Sequence, residues 1–174
     1  TIVTKKSLMH KVSHREYTKF WHAHDLGNLE LLRATYITHA FTRHTHDGYA
    51  IGVIERGAET FYYRGRTHVA PAGSIVVINP GEVHTGRALD HSGWSPEIEL
   101  VQIAAREVSD QWQHIPDFPD PVIQDPQLVS VLRNLHIVLE NSASKLKRES
   151  HFVSTLAQLI ARHAEGFSRL AGFD

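Results

Sequence analysis

The pattern of apolar and polar residues changes about two-thirds of the way along the chain. Before that point, β-branched and aromatic residues occur in short runs, and Gly, Pro, Asn and Asp separate the runs. Such runs are typical of strands joined by turns. The predicted strands are residues 29–37, 49–55, 59–63, 67–70, 74–79, 85–89 and 96–104, with a turn at Arg56-Gly57 between the second and the third. Closely spaced strands favour an antiparallel sandwich or barrel over β-α-β units.

The last third of the chain has a helical period. Asp125 is a suitable N-cap and Pro126 a suitable first helical residue, so a helix is predicted from there to about Asn141. A second apolar stripe follows and ends near Gly166, which predicts a helical hairpin. The apolar positions of the two stripes include Leu128, Leu132, Leu135, Leu139, Phe152, Leu156, Leu159 and Ile160.

Two uses of these apolar stripes remain open. They can pack on the open side of the barrel, or they can be left partly exposed for a partner subunit. A second apolar helix added to a complete barrel has little remaining core to cover, which favours the partner subunit. The eight apolar residues are therefore expected at the contact of a homodimer.

The first 28 residues are predicted to form a basic arm. Among the first 20, the only acidic residue is Glu16, against the basic residues Lys5, Lys6, Lys11, Arg15 and Lys19. A solvated leader and an arm that folds over the domain or touches a partner both remain open. His22 and His24 lie two apart, but no strand signal surrounds them, so they are expected to be surface histidines.

Composition narrows the class of protein. A chain of 174 residues with 41% hydrophobic and 21% charged residues is expected to form one globular domain. The absence of cysteine excludes disulfides and thiolate chemistry. A net charge of -1 gives the chain no general attraction for nucleic acid. No apolar run approaches the ~20 residues of a membrane span, and the chain is interpreted as cytoplasmic with no membrane partner.

Three histidines carry the candidate chemistry. His44 and His46 lie two apart, and alternate side chains of a strand share a face, so both are expected to point to one place. His84 follows the predicted strand 74–79 and the turn at Pro80-Gly81, which brings a third imidazole there. Three interpretations remain open: a polar cavity that binds nothing, a site for Zn²⁺ or Ni²⁺, and a pocket for an organic effector.

These histidines lie in segments that resemble the two sequence motifs of the cupin barrel. His44-Thr45-His46 is similar to the first motif, and Gly73 with Pro80-Gly81-Glu82-Val83-His84 is similar to the second, with the proline shifted by one position. Cupin enzymes usually carry a glutamate shortly after the second histidine, and that position here is about Ile51. Glu55 and Glu82 are the neighbouring carboxylates, and neither is expected to turn inward.

Nearly the whole chain resembles the N-terminal effector-binding and dimerisation domain of AraC-type transcriptional regulators. The similar segments are Leu29-Glu30-Leu31-Leu32-Arg33-Ala34, the stretch from His44 to Gly57, the stretch from Pro80 to Gly86, Gly93-Trp94-Ser95, and the tail from Asp125-Pro126 to His163-Ala164. The resemblance implies a mainly β fold with C-terminal α structure: a cupin-like antiparallel β-barrel, or double-stranded β-helix, followed by a helical hairpin. It divides the chain into an arm at 1–28, an effector-binding barrel at 29–122 and a dimerisation hairpin at 123–174.

The resemblance also implies the function. In that family a small effector lies inside the barrel, the helical pair forms the dimer, and a separate helix-turn-helix domain binds DNA. That domain is not part of this chain, which looks like a fragment and is not expected to bind a promoter alone. The implied ligand-binding residues are His44, His46, Tyr49, Ile51, Val53, His84 and Trp94. The segment Pro96-Glu97-Ile98 departs from the family pattern. The effector of a known family member therefore cannot be assigned to this chain.

Two functional classes compete. The first is a sensor of a small organic effector that carries out no reaction and requires no cofactor. The second is a metal-dependent cupin enzyme, an oxygenase or isomerase, with His44, His46 and His84 as metal ligands. The missing glutamate and the appended helical hairpin count against the enzyme.

Overall fold

The computed structural model describes residues 15–27, 29–103 and 115–165, without the side chains of 96–103. These residues form nine strands, a 3₁₀ helix at His24–Leu26 and two α-helices. The strands are β1 (Tyr17–Ala23), β2 (Leu29–Thr35), β3 (Ala40–His44), β4 (Tyr49–Tyr63), β5 (Arg66–Pro71), β6 (Ile75–Ile78), β7 (His84–Ala88), β8 (Trp94–Ile103) and β9 (Val122–Ile123), and the helices are α1 (Pro126–Asn141) and α2 (Lys145–His163). Most of the predicted arm, the end of the last predicted strand at Ala104, and Gly166 lie outside the described residues.

The first of two antiparallel sheets has the strand order β1-β2-β8-β4-β6-β9. Both of its faces are covered. In β6, Ile75 and Val77 pack in a core shared with the two helices, whereas Val76 and Ile78 pack in a second core on the opposite face. Burial on both faces explains why this segment is a continuous apolar run without polar alternation.

The second sheet has the order β3-β7-β4-β5, so β4 belongs to both sheets. Its first part pairs with β6 and β8, and its last part, residues 58–63, pairs with β5. The register shifts between Val53 and Arg56, where the strand bends. The prediction of two strands with a turn at Arg56-Gly57 is therefore wrong: the chain continues as one bent strand, and Gly57 takes up the bend with a φ of 70°.

From Tyr17 onward, the segment expected to be an arm is a strand of the first sheet. All seven residues of β1 pair with β2, and Ala23 and Leu26 lie in the core. His22 and His24 are exposed, as expected, although His22 belongs to a strand. The strand lacks a recognisable sequence signal because it lies at the edge of the sheet and most of its side chains remain in solvent.

The first helix begins and ends where the sequence predicts it. The side chain of Asp125 accepts a hydrogen bond from the backbone N–H of Leu128, and Pro126 is the first helical residue. The helix ends at Asn141, as predicted. The second helix begins after Ser144, whose hydroxyl accepts from the N–H of Lys147.

The helices cover the outer face of the first sheet, and this corrects the expected dimer contact. All eight residues assigned to that contact are 0% to 9% exposed inside the core of this chain: Leu128, Leu132, Leu135, Leu139, Phe152, Leu156, Leu159 and Ile160. The outer face of the sheet is apolar, through residues such as Leu29, Leu31 and Ile51, and needs this cover. The exposed apolar side chains of the helices are instead Ile137, Leu146 and Val153.

The predicted fold class is confirmed: a cupin-like pair of antiparallel sheets followed by two helices. Within the described pairing, the strands do not close into a continuous barrel. Neither described helix combines the length and hydropathy that a membrane span requires.

Candidate functional site

A cavity of about 340 Å³ lies between the two sheets. This volume is at the lower end of the range for small-molecule pockets, roughly 300–1,000 Å³. Its lining combines histidines, carboxylates, aromatic rings and aliphatic side chains. The residues that line it are Phe20, Glu30, Leu32, Tyr36, Phe41, His44, His46, Ala50, Gly52, Ile54, Glu59, Phe61, Val76, Ile78, His84, Thr85, Gly86 and Trp94.

His44 and His84 are brought together by strand pairing. β3 and β7 are antiparallel neighbours, and His44 lies directly opposite His84 in their register. The two ring centroids are 4.2 Å apart. His84 is buried, and His44 is half-buried at the end of its strand.

His46 joins them through a loop. β3 ends at His44, so His44 and His46 do not share a strand. The expectation that both point to one place because they alternate along a strand is therefore wrong in its reason. The carbonyl of His46 instead accepts a hydrogen bond of 2.8 Å from the N–H of Gly81, in the turn that precedes His84. The ring of His46 lies 5.0 Å from that of His44 and 5.1 Å from that of His84, between centroids. The predicted convergence of three imidazoles is present, and one ring nitrogen of each lies within 4.8 Å of the others.

Backbone carbonyls orient two of the rings. Nδ1 of His44 is 2.7 Å from the carbonyl oxygen of Thr42, and Nδ1 of His84 is 3.1 Å from that of Glu82. Because a carbonyl only accepts, Nδ1 carries the proton in both rings. In the neutral ring, Nε2 then keeps a lone pair for a metal ion or a hydrogen-bond donor.

Burial keeps two of the imidazoles uncharged near neutral pH. It lowers the pKa of His84 to about 4, and the neighbouring histidines contribute in the same direction. Burial, followed by the proximity of His44, also lowers the pKa of His46. A neutral imidazole is the form that binds a metal or accepts a hydrogen bond.

The sequence prediction missed two carboxylates. Glu30 and the buried Glu59 both line the cavity. As expected, Glu55 and Glu82 do not, since Glu55 pairs with an arginine on α1 and Glu82 with one in the β4–β5 turn. Glu59 carried a usable signal, because it alternates with Phe61 along β4. The bend in β4 hid it: cavity-facing residues have even numbers before the bend and odd numbers after it.

Glycine at position 86 leaves space for Glu59. A β-carbon built on Gly86 would lie 2.6 Å from Oε1 of Glu59 and 3.5 Å from Cδ2 of Phe41. Gly86 lies on β7, two residues after His84. The carboxylate of Glu59 therefore occupies the space that a side chain at position 86 would take.

Four of the seven predicted ligand-binding residues line the cavity: His44, His46, His84 and Trp94. Tyr49, Ile51 and Val53 do not; they point to the opposite face of β4 and pack in the core shared with the helices. The hydroxyl of Tyr49 donates to the carbonyl of Pro116, and burial raises the pKa of that phenol. The expectation that these three residues point into the cavity is wrong, because Ala50, Gly52 and Ile54 face the cavity instead.

The sequence matches the family described as AraC-like ligand binding domain over residues 26–156. The chain belongs to this family. It is 27% identical over 143 residues to an uncharacterized HTH-type transcriptional regulator, YbfI, of Bacillus subtilis, and the match covers 79% of this chain and 52% of that protein. The chain thus spans about half the length of this curated relative.

A solved structure of an AraC-like protein shares the fold of this domain. The AraC-like transcriptional activator CuxR aligns with a TM-score of 0.63 at 15% identity, over 88% of this chain and 58% of that one. A cupin 2 conserved barrel domain protein from Leptotrichia buccalis aligns with a TM-score of 0.44 at 16% identity, over 52% of this chain and 42% of that one. The family and the curated relative favour a regulatory domain over a cupin enzyme.

Proposed function

We propose that this AraC-like domain senses a small organic effector that binds in the cavity between the two sheets. The observation that carries the proposal is the cavity itself, about 340 Å³ lined by three histidines, two glutamates and five aromatic rings, in a chain of a ligand-binding family. An apolar pocket with a few convergent polar groups is the usual form of a small-molecule site. No reaction and no required cofactor are part of this proposal.

The strands of the first sheet connect the cavity to the helices. In β4 and β6, residues that line the cavity alternate with residues that pack against α1 and α2. The side chain of Glu55 also accepts two hydrogen bonds from Arg133 of α1, at 2.5 and 2.7 Å. An effector that binds more tightly to one arrangement of strands and helices would shift the population toward it.

DNA binding is assigned to a helix-turn-helix domain outside this chain. The proposal is supported by the relative from Bacillus subtilis, an HTH-type regulator of which this chain matches 52%. This chain has 18 Lys and Arg against 19 Asp and Glu, and that balance gives no general attraction for DNA. A regulator of this type acts where the chromosome is, so the proposed location is the cytoplasm.

The homodimer remains part of the proposal, with a different contact surface. The eight residues first assigned to it are buried within the chain, so they are not available to a partner. Leu146 and Val153 lie seven residues apart on one side of α2 and are 74% and 46% exposed. We assign the contact to this exposed pair.

A divalent metal is a second occupant that the histidines can accept. The donor atoms of His44, His46 and His84 converge, and carbonyl contacts leave Nε2 of His44 and His84 as ligand atoms, which suits Zn²⁺ or Ni²⁺. A bound metal would act as a Lewis acid at this point of the cavity. The metal-dependent enzyme is the less favoured alternative, since the family is a ligand-binding one.

A reporter assay with the full-length regulator tests the proposal. The parent regulator is first used to find small molecules or culture extracts that change the reporter output. The response of the double variant His46→Ala, His84→Ala to the same compounds is then compared with that of the parent. We expect the variant to fold and dimerise but to lose the response. The matched control is His22→Ala, His24→Ala, a pair with the same spacing at exposed positions. An unchanged response in the cavity variant would refute the proposal, and stoichiometric metal with turnover in the parent alone would favour the enzyme.

A further inference from the structure

A buried histidine lies between the first helix and the edge strand of the first sheet. His136 of α1 is 1% exposed, and its ring packs against Trp21 of β1, with 5.1 Å between the ring centroids. Neither ring nitrogen has a hydrogen-bond partner among the described residues. Burial without a partner is costly for a polar group and far more costly for a charge, which loses its hydration. The packed arrangement therefore favours the uncharged ring.

The charged groups around this ring give a proton little compensation. Lys19 of β1 and Arg33 of β2 act on His136 as cations, and Glu140, on the same helix as the histidine, acts in the opposite direction. Both oxygens of Glu140 already accept hydrogen bonds, Oε1 from Lys19 at 2.6 Å and Oε2 from Arg33 at 2.9 Å. A proton on His136 would therefore place a third cation beside a carboxylate that already pairs with two.

The strand β1 is the element that can yield to such a charge. It lies at the edge of the first sheet and, among the described strands, pairs with β2 alone. Most of its side chains are exposed, and Trp21 is only partly buried. An element with few buried contacts opens locally at a lower free energy than the whole domain unfolds. Release of β1 from α1 would hydrate the ring of His136 and leave the other strands paired.

We propose that His136 and Trp21 form an acid-sensitive latch: a proton on His136 releases β1 from α1 and withdraws Phe20 from the wall of the ligand cavity. Phe20 and Trp21 are neighbours on β1, so their rings lie on opposite faces of the strand, and Phe20 lines the cavity. The release itself requires no ligand. Its consequence for an effector, a cavity that loses one aromatic side chain in acid, rests on the proposed function.

The closed and released forms of the latch determine the pH range of the effect. In the closed form, burial and next the charge of Arg33 lower the pKa of His136 to about 4. A released, hydrated imidazole has a pKa of about 6.5, so the released form binds the proton first as the pH falls. The closed form is therefore fully favoured above pH ~6.5 and is destabilised relative to the released form below it. Between pH ~7.5 and pH ~5 the ratio of released to closed molecules should rise about 30-fold.

Hydrogen exchange of the 174-residue chain, followed by mass spectrometry, measures the release. Exchange of the β1 peptide is compared at pH ~7.5 and pH ~5 after correction for the intrinsic rate of each amide, so that the remaining difference reports opening. We expect the protection of β1 to fall about 30-fold in acid. At pH ~5 this exchange should not respond to low concentrations of urea, because release of one strand exposes little surface. Exchange of β6, which lies between two strands, should be slower and should accelerate with urea, since it requires global unfolding.

Two variants assign the release to His136. His136→Leu removes the titrating group and keeps an apolar side chain in its place, so its β1 should be equally protected at the two pH values. The matched control is His22→Leu, on β1 itself, which should lose protection in acid as the parent does. Nε2 of His22 lies 3.5 Å from Oε1 of Glu30 on β2, so a proton on His22 would hold the strand rather than release it. Circular dichroism establishes that each variant is folded.

Three results would overturn the latch. They are a β1 whose protection is the same at both pH values in the parent, a His136→Leu variant that still loses protection in acid, and a parent in which β1 and β6 exchange at one rate with one urea dependence. The last result would mean that acid unfolds the whole chain and releases no single strand, and it decides the question even if His136→Leu does not fold. Because the exchange experiment uses no effector, its outcome is independent of the reporter assay that tests the sensor function.

Discussion

Gly57 lies directly against the backbone of Gly93. A β-carbon built on Gly57 would be 2.0 Å from the carbonyl oxygen of Gly93. The contact occurs where β4 passes from one sheet to the other, and the next residue, Trp94, lines the cavity. The close approach of these two glycines therefore holds the bend that places the second half of β4 beside the ligand cavity.

We expect Gly57→Ala to destabilise the chain by about 3 kcal/mol or more, from left-handed backbone strain together with a backbone clash. Gly65→Ala is the matched control, because Gly65 also has a positive φ, 83°, but no atom lies within 4 Å of its added β-carbon. That change should cost about 1–2 kcal/mol. Urea unfolding followed by circular dichroism measures both, and equal losses would show that the Gly57–Gly93 contact has no role.

The same bend shows what the sequence could and could not predict. The apolar runs on either side of Gly57 identified strand residues correctly, because β-branched and aromatic residues mark buried strands by composition. Which residues faced the cavity could not be read from them, since the register shift exchanges the two faces of β4. For this reason Glu59 was missed, because it lies beyond the bend.

Local signals predicted the helices well, and long-range packing was less accessible. The Asp125-Pro126 pair marks a helix start through its own chemistry, and the observed helix starts there. The apolar stripes predicted correctly which face of each helix is buried. They did not predict that the first sheet of the same chain covers that face. A stripe that covers the sheet of its own chain and one that meets a partner have the same period.

Asp125 joins the start of α1 to the end of α2. Its carboxylate caps the N–H of Leu128 at 3.0 Å and contacts Arg162 at 2.7 Å and His163 at 2.9 Å. We expect Asp125→Ala to lower the free energy of unfolding by about 2 kcal/mol, most of it from the cap. Ser144→Ala removes the exposed cap of the second helix and should cost about 1 kcal/mol or less. Chemical denaturation compares them, and a larger loss for Ser144→Ala would contradict the assigned role of Asp125.

His136 makes stability depend on pH. It is 1% exposed on α1, packs on the ring of Trp21, and neither ring nitrogen has a hydrogen-bond partner among the described residues. Burial, and next the charge of Arg33, lower its pKa to about 4. Lys19 and Glu140 are the other charged groups that act on it.

In the unfolded chain the pKa of this histidine is about 6.5, whereas in the folded chain it is about 4. Between these two pH values the unfolded chain binds a proton at His136 that the folded chain does not bind. Stability is therefore fully present above about pH 6.5 and decreases below it. His136→Leu should reduce the loss of stability between neutral pH and pH ~5, while the exposed control His24→Leu should not. Urea unfolding at the two pH values measures this. An unchanged pH dependence in His136→Leu would show that His136 is not its source.

The two apolar surfaces of α2 should respond differently to a charge. We expect the chain to sediment as a homodimer at micromolar concentration and Leu146→Glu combined with Val153→Glu to yield a monomer with unchanged unfolding, because both side chains are exposed. Leu159→Glu should instead unfold the chain, since that position is 0% exposed in the core and a buried unpaired charge costs several kcal/mol. Sedimentation velocity with circular dichroism separates the outcomes. A double variant that stays dimeric would place the contact elsewhere, and a folded monomer from Leu159→Glu would restore the core-facing stripe as the dimer surface.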